Sequence, residues 1–361
     1  MGDMALLDSR PALRWFAPAA LVLVVGGSSL VATNATADPK LPTVSAEQLL
    51  VDLQAPKVDG LSGTVRQEAD LGLPTPPTSG HGESTGFRSL LSGVHELRVW
   101  YAVPGKSRVA VTGAYGETDL ITNGTDLWTW SSRTKAVTHA TVPDHEDLAA
   151  PAGADVPKTP QEAAAKVLAA VDPSTTVSVD SAVDVAGRAA YELVLRPRDT
   201  RSLLTEARIA VDGETRSPLR VQIFGRDQRT VLDVGYTAVT FTRPEDSTFE
   251  FTPPPGSVVT EKTVPDHAAS RGERDETQDQ PEAVTTVGTG WTAVAVRKAP
   301  EGVAAPGEEL QGMLDQLPTE SGTWGSGRVL RGNAFSAVLT DDGRMAVGAV
   351  PPELLYQALE R

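Results

Sequence analysis

The sequence predicts a mainly β, α+β protein organised around a large antiparallel sheet. Three observations point there. Between 177 and 261, runs of six to eight residues alternate apolar and polar side chains, with turn residues about every dozen positions. Between 119 and 139, two turn signals divide three short strands: Asn123-Gly124, suited to a tight turn with positive φ, and the polar stretch 131–135. Two short helices carry their own start signals, Ser45-Ala46-Glu47-Gln48 and Thr159-Pro160-Gln161-Glu162, each with a hydroxyl N-cap and Gln or Glu three residues on.

Taken in order, the chain opens with Arg10 and Arg14 before an uncharged, mainly apolar run at 15–31, and Ala35-Thr36-Ala37 follows. Small residues two apart after such a run fit a signal-peptidase cut after Ala37. The run is shorter than the roughly 20 residues of a comfortable span and is interrupted by Pro18 and Gly26-Gly27. An export signal is therefore the first reading and an uncleaved anchor the alternative. Both put the rest of the chain outside the cytoplasmic membrane.

After Ser45, residues Ala46, Leu49, Leu50 and Leu53 share one helical face, and Pro56 stops the helix. A strand is expected at 61–69, a loop rich in Pro, Gly, Ser and Thr at 71–88, and strands at 96–103 and 106–112 about Pro104-Gly105. Val109 and Val111 share a face; Trp100 and Tyr101 fall on opposite faces. In the meander, Trp128 and Trp130 point the same way. An acidic loop covers 143–158, and the helix begun at Thr159 runs to Asp172-Pro173.

In the regular region Tyr191, Leu193 and Leu195 share a face, Ile209 and Val211 follow before the Asp212-Gly213 turn, and Leu219, Val221 and Ile223 point one way on the next strand. Phe249-Glu250-Phe251 and a Pro-rich tail close the series. The expected organisation is 1–37 signal or anchor, 38–260 main domain, 261–284 acidic linker and 285–361 a small α+β unit. That unit should hold a strand at 285–296 around Trp291, a helix at 308–317, a hairpin about Asp341-Asp342-Gly343 and a final helix.

Composition excludes several classes. A net charge of −15 argues against nucleic acid, which needs a basic field. The absence of cysteine removes disulfides, thiolate metal sites and a Cys nucleophile. The histidines, His81, His95, His139, His145 and His267, are isolated, and there is no His-Glu-x-x-His, no phosphate loop and no Gly-x-Ser-x-Gly elbow between a strand and a helix. No enzyme, cofactor or metal is expected.

Several segments, in order, resemble the bacterial lipoprotein-carrier superfamily of LolA, RseB (MucB) and LppX. They are the Asn123-Gly124 turn followed by Trp128-x-Trp130, then Gly187-Arg-Ala-Ala-Tyr-Glu-Leu-Val-Leu195, Ile209-Ala-Val-Asp-Gly-Glu-Thr215 with Pro218-Leu-Arg-Val221, and Phe249-x-Phe-Thr-Pro-Pro-Pro-Gly256. The likeness spans roughly 41–260. It implies an unclosed antiparallel β-barrel, a half-barrel with covering helices, whose hollow holds acyl chains of a lipid or acylated lipoprotein. For members with a further small domain it implies a membrane anti-sigma factor as an alternative partner. The candidate lipid-binding residues are Trp100, Val109, Val111, Trp128, Trp130, Leu193, Leu195, Ile209, Val211, Val221 and Ile223.

Overall fold

The computed structural model describes residues 41–54, 58–74, 87–113, 116–141, 157–169, 171, 173–263, 284–298, 312 and 314–361. The segment read as an export signal or anchor, residues 264–283 of the expected acidic linker, residues 75–86 of the expected 71–88 loop, most of the 143–158 loop and half of the expected 308–317 helix lie outside these residues. Among the described residues, no helix is long and apolar enough to cross a membrane.

The first sheet has twelve strands: β1 Gly60–Asp70, β2 Ser92–Ala102, β3 Lys106–Gly113, β4 Gly116–Asn123, β5 Asp126–Ser131, β6 Ala136–Thr141, β7 Thr175–Val185, β8 Arg188–Pro197, β9 Leu204–Asp212, β10 Pro218–Gly225, β11 Thr230–Thr240 and β12 Val258–Thr263. Their order in space is β12-β6-β5-β4-β3-β2-β1-β11-β10-β9-β8-β7. Every neighbouring pair is antiparallel except β12 with β6, which is parallel. The end strands β12 and β7 do not pair with each other, so the sheet is unclosed. β7 nevertheless comes within 8 Å of β11 between Cα atoms, although three strands lie between them, so this half is strongly curled.

Two helices roof the inner face. α1, Ala46–Gln54, starts where the capping box predicts: the Gln48 N–H donates to Ser45 Oγ at 3.2 Å. α2, Pro160–Ala169, has the Glu162 N–H donating to Thr159 Oγ1 at 3.1 Å, while the Glu162 carboxylate accepts from the Lys158 N–H. α1 lies against β7, and α2 against β10 and β11. Leu49 and Leu53 from α1, and Ala163, Ala164 and Val167 from α2, enter one core with the inner side chains of the sheet. On β1 a bulge at Thr64/Val65 falls beside Gly63, where a Cβ would stand 2.5 Å from Ala238 O and 2.9 Å from the Tyr236 ring. Only glycine lets the two strands close there.

A second, six-stranded sheet holds β13 Thr285–Val287, β14 Val294–Lys298, β15 Thr319–Gly322, β16 Gly325–Arg331, β17 Ser336–Thr340 and β18 Arg344–Gly348, in the order β13-β14-β18-β17-β16-β15. The closing helix α3, Pro352–Leu359, packs Leu355, Ala358 and Leu359 against Val294, Val329, Val338 and Ala346. The expected single strand at 285–296 is two strands. A 3-10 turn, Gly290–Thr292, interrupts it because Trp291 turns into the core of the first sheet, its indole Nε1 donating to Thr175 Oγ1 at 2.9 Å. A buried indole N–H needs such an acceptor, and this one lies on the other sheet.

Candidate functional site

The aliphatic candidates assemble. Val109 and Val111 on β3, Leu193 and Leu195 on β8, Ile209 and Val211 on β9, and Val221 and Ile223 on β10 all join the inner core. Register lines them up: Leu193 faces Ile209, Ile209 faces Val221, and Val221 faces Val234 on β11. Leu193, Leu195, Ile209, Val211 and Val221 are each 0% exposed. The inner face is thus apolar, continuous and covered by the chain's own helices.

The tryptophans do not join them. Trp100 on β2 faces Arg108 on β3, Arg108 faces Ile121 on β4, Ile121 faces Trp128 on β5, and Trp128 faces His139 on β6. That row lies on the side of the sheet opposite Val109. Trp100 lies between two guanidinium groups, Arg98 at 5.0 Å and Arg108 at 5.6 Å from its ring centroid. Trp128 and Trp130 are half-buried beside a strap of residues 243–257, which is tied to β3 through Asp246 and Thr248 and sets Phe251 against both tryptophans. Lys106 holds Asp246 of the strap at 3.0 Å, Phe249 is fully buried, and the Phe251 ring lies 5.4 Å from Trp128 and 6.4 Å from Trp130. Sequence reasoning takes Phe249 and Phe251 as the end of a strand series. In the structure Asp246–Phe249 is a 3-10 turn, and the chain goes on to β12, a strand that the reading does not include.

The strap is fastened at its far end by a histidine. His139 Nδ1 lies 2.8 Å from Glu261 on β12, its Nε2 lies 2.8 Å from Asp126, and its ring stacks on Trp128 at 3.8 Å. A neutral imidazole has one N–H and can donate to only one of these carboxylates; the imidazolium donates to both. Burial opposes the charge, but the hydrogen bonds to Asp126 and Glu261 outweigh it, and the pKa of His139 is raised. A raised folded value means that the stabilisation is fully present below about pH 6.5 and is lost as pH rises through the folded value. The urea midpoint of the wild type should therefore fall between pH 6 and pH 9 by more than that of His139→Gln. Equal falls would show that the clasp carries no proton-linked stability.

The remainder of the outer face is a charged lattice. Arg208 binds Glu192 at 2.8 Å and also Glu206, Arg196 binds Glu206 at 2.6 Å, and Arg220 Nε donates to Asp233 at 2.9 Å. A pocket of about 50 Å³ among Asp184, Glu192, Arg208, Arg220 and Gln222 has room for only a few waters. Among the described residues, no group of three His, Asp or Glu side chains could hold a metal ion. One Gly-x-Ser-x-Gly pattern, Gly82-Glu83-Ser84-Thr85-Gly86, does occur in the segment read as a loop, and it lies outside the described residues.

No family model matches the chain, and no curated protein sequence does. Among solved structures it is similar to the MucA/MucB complex of Pseudomonas aeruginosa, at 16% identity and a TM-score of 0.45 over 87% of this chain and 96% of that one. It is similar to MucB in complex with MucA(peri), at 15% identity and 0.44 over 87% and 97%. A LolA superfamily protein from Nitrosomonas europaea matches at 10% identity and 0.23, over 58% of this chain and 99% of that one.

Proposed function

We propose that the chain is an extracytoplasmic binding protein that holds an acyl chain of a lipid or lipoprotein against the inner face of its half-barrel, as a carrier or chaperone. One observation carries this reading: the apolar inner face of an unclosed sheet is roofed by two short helices, not by a second sheet. α1 and α2 meet it mainly through Leu49, Leu53, Ala163, Ala164 and Val167. Polar contacts also join the roof to the sheet. Gln161 donates to Pro218 O at 3.2 Å and accepts from the Tyr236 hydroxyl at 2.9 Å, and Arg216 lies 3.3 Å from Asp52. An acyl chain entering below α2 exchanges one set of apolar contacts for another. At about 25 cal/mol per Å², burying several hundred Å² of chain contributes on the order of 10 kcal/mol, before the cost of lifting and ordering the roof. No reacting side chain is needed, so the role is binding and not catalysis. The expected result is saturable uptake of a fluorescent polyene fatty acid at about one per chain, competed by a saturated fatty acid. Uptake that grows linearly without saturation would overturn the reading.

A second reading is a regulatory sensor that binds a membrane anti-sigma factor. The docking of the second sheet favours it, since a shuttle has no need of this attachment. Asn333 Nδ2 donates to Asp70 Oδ1 at 2.8 Å, the Asn333 N–H donates to Leu71 O at 2.9 Å, and the Leu203 N–H donates to Ala349 O at 2.8 Å. Capture from bacterial membranes should then recover an anti-sigma factor in stoichiometric amount. Its repeated absence counts against this reading and leaves the first untouched.

A further inference from the structure

One polar side chain is out of place in the inner face. Gln67 on β1 is 0% exposed. It lies two residues from Val65 and two from Ala69 on the same side of the strand, both core residues, and faces Val234 of β11, itself 0% exposed. Its Nε2 donates to Leu90 O at 3.0 Å, in the 3-10 turn Phe87–Leu91, and its Oε1 has no hydrogen-bond partner. Turning the amide over would set Oε1 against the Leu90 carbonyl and strand the NH₂ group, so the free acceptor follows from the surroundings. A buried acceptor left unpaired is destabilising, so Gln67 Oε1 stands as a site where an incoming donor would be stabilised.

A second acceptor stands beside it. His95 of β2 is directly opposite Gln67 in the register and is only half-buried, at the rim of the same face. Its Nε2 lies 2.8 Å from Ser92 O. A carbonyl oxygen can only accept, so Nε2 carries the proton, and in the neutral ring Nδ1 is then a lone-pair acceptor. Directly opposed side chains on neighbouring strands stand about 5 Å apart at Cβ. From rim to interior, the inner face therefore presents two acceptors, Gln67 Oε1 and His95 Nδ1, beside the second N–H of Gln67 Nε2, and Oε1 is the buried one that lacks a partner.

We propose that Gln67, with His95 at the rim, forms the polar end of the acyl site and selects a guest that carries a hydrogen-bond donor where its hydrocarbon chain ends, an N-acyl amide N–H or a hydroxyl. Esters and ionised carboxylates have no donor to offer and leave Gln67 Oε1 unpaired. This proposal rests on the acyl-binding reading given above.

The test uses two nearly isosteric probes, N-methyldodecanamide and methyl dodecanoate, which differ by N–H against O. Each displaces the fluorescent fatty acid from the full chain at pH 8, and affinities are corrected for the probes' water-to-alkane partition. The wild type should prefer the amide by about tenfold after that correction, the order of one good buried hydrogen bond. Gln67→Met should abolish the preference and bind the ester at least as well as the wild type does. Equal corrected affinities in the wild type overturn the role of Gln67 and leave the acyl-binding reading standing. Binding of neither probe overturns both. The wild-type comparison decides the matter by itself if the variant does not fold.

Discussion

Leu193→Ala should lower the stability of the chain by about 3 kcal/mol, whereas Trp100→Ala should lower it by only about 1 kcal/mol, although tryptophan is the larger side chain. Leu193 is fully buried at the centre of the inner face, with Val179 on one neighbouring strand and Ile209 on the other. Removing its isobutyl group leaves a void that two sheet neighbours cannot close without breaking register. Trp100 lies on the outer face between two arginines and is half-exposed, so truncation costs part of an apolar contact and two cation–π interactions. Urea denaturation of both variants measures the contrast. A larger loss for Trp100→Ala would place the tryptophan row, not the aliphatic row, in the core.

The second large effect is expected at Asp212, where Asp212→Ala should cost about 3 to 4 kcal/mol. Its carboxylate is 1% exposed at the β9–β10 turn. It accepts from Arg188 Nε at 2.6 Å and Arg188 Nη2 at 3.0 Å, and from the Thr215 N–H at 2.7 Å and the Thr215 hydroxyl at 2.8 Å. Truncation leaves these donors, one of them charged, without their acceptor. Burial alone would raise the pKa of this carboxyl, but the Arg188 and Thr215 hydrogen bonds outweigh burial and hold it below the usual carboxylate range. A depressed folded value means that the stabilisation is present above about pH 4 and is lost as pH falls through the folded value. The wild type should therefore lose more stability between pH 5 and pH 3 than Asp212→Asn. An equal loss in the two proteins would show that Asp212 contributes nothing to acid sensitivity.

Much of the fold was legible because local signals agreed with one another. The two capping boxes start α1 and α2 at the residues they name, and turns follow Asn123 and Asp212 as expected, although the first centres on Gly124-Thr125, because Asn123 still pairs with Asp126 as the last residue of β4. The site was legible only in part. On each strand, alternation gives two faces, but which face of one strand continues which face of the next depends on loop length. Ala102 pairs with Lys106, so Trp100 meets Arg108 and not Val109; Asn123 pairs with Asp126, which carries Trp128 to the same side. With those loop lengths fixed, the separation of tryptophans from valines follows. The strap had no local signal, because Phe249 and Phe251 read equally well as alternating strand residues, and only their packing on Trp128 and Trp130 distinguishes the two. Gln67 was hidden for a similar reason. Alternation puts Gln67 on the side of Val65 and Ala69, but a glutamine between Arg66 and Glu68 reads as a rim residue until the packing shows it fully buried. The turn at Trp291 depends on an acceptor more than a hundred residues away in the chain, Thr175.

The measurement that bears most directly on the binding reading is native mass spectrometry, with lipid extraction, of the chain exported and purified from a bacterial host. The account predicts one lipid or acylated peptide per chain that stays bound in the native state and is released on denaturation. A monodisperse protein that carries no lipid and takes none up from added acyl donors would contradict it. Under that result the inner face of β8–β11 is solely the protein's own core, and its work is done by contact with another protein.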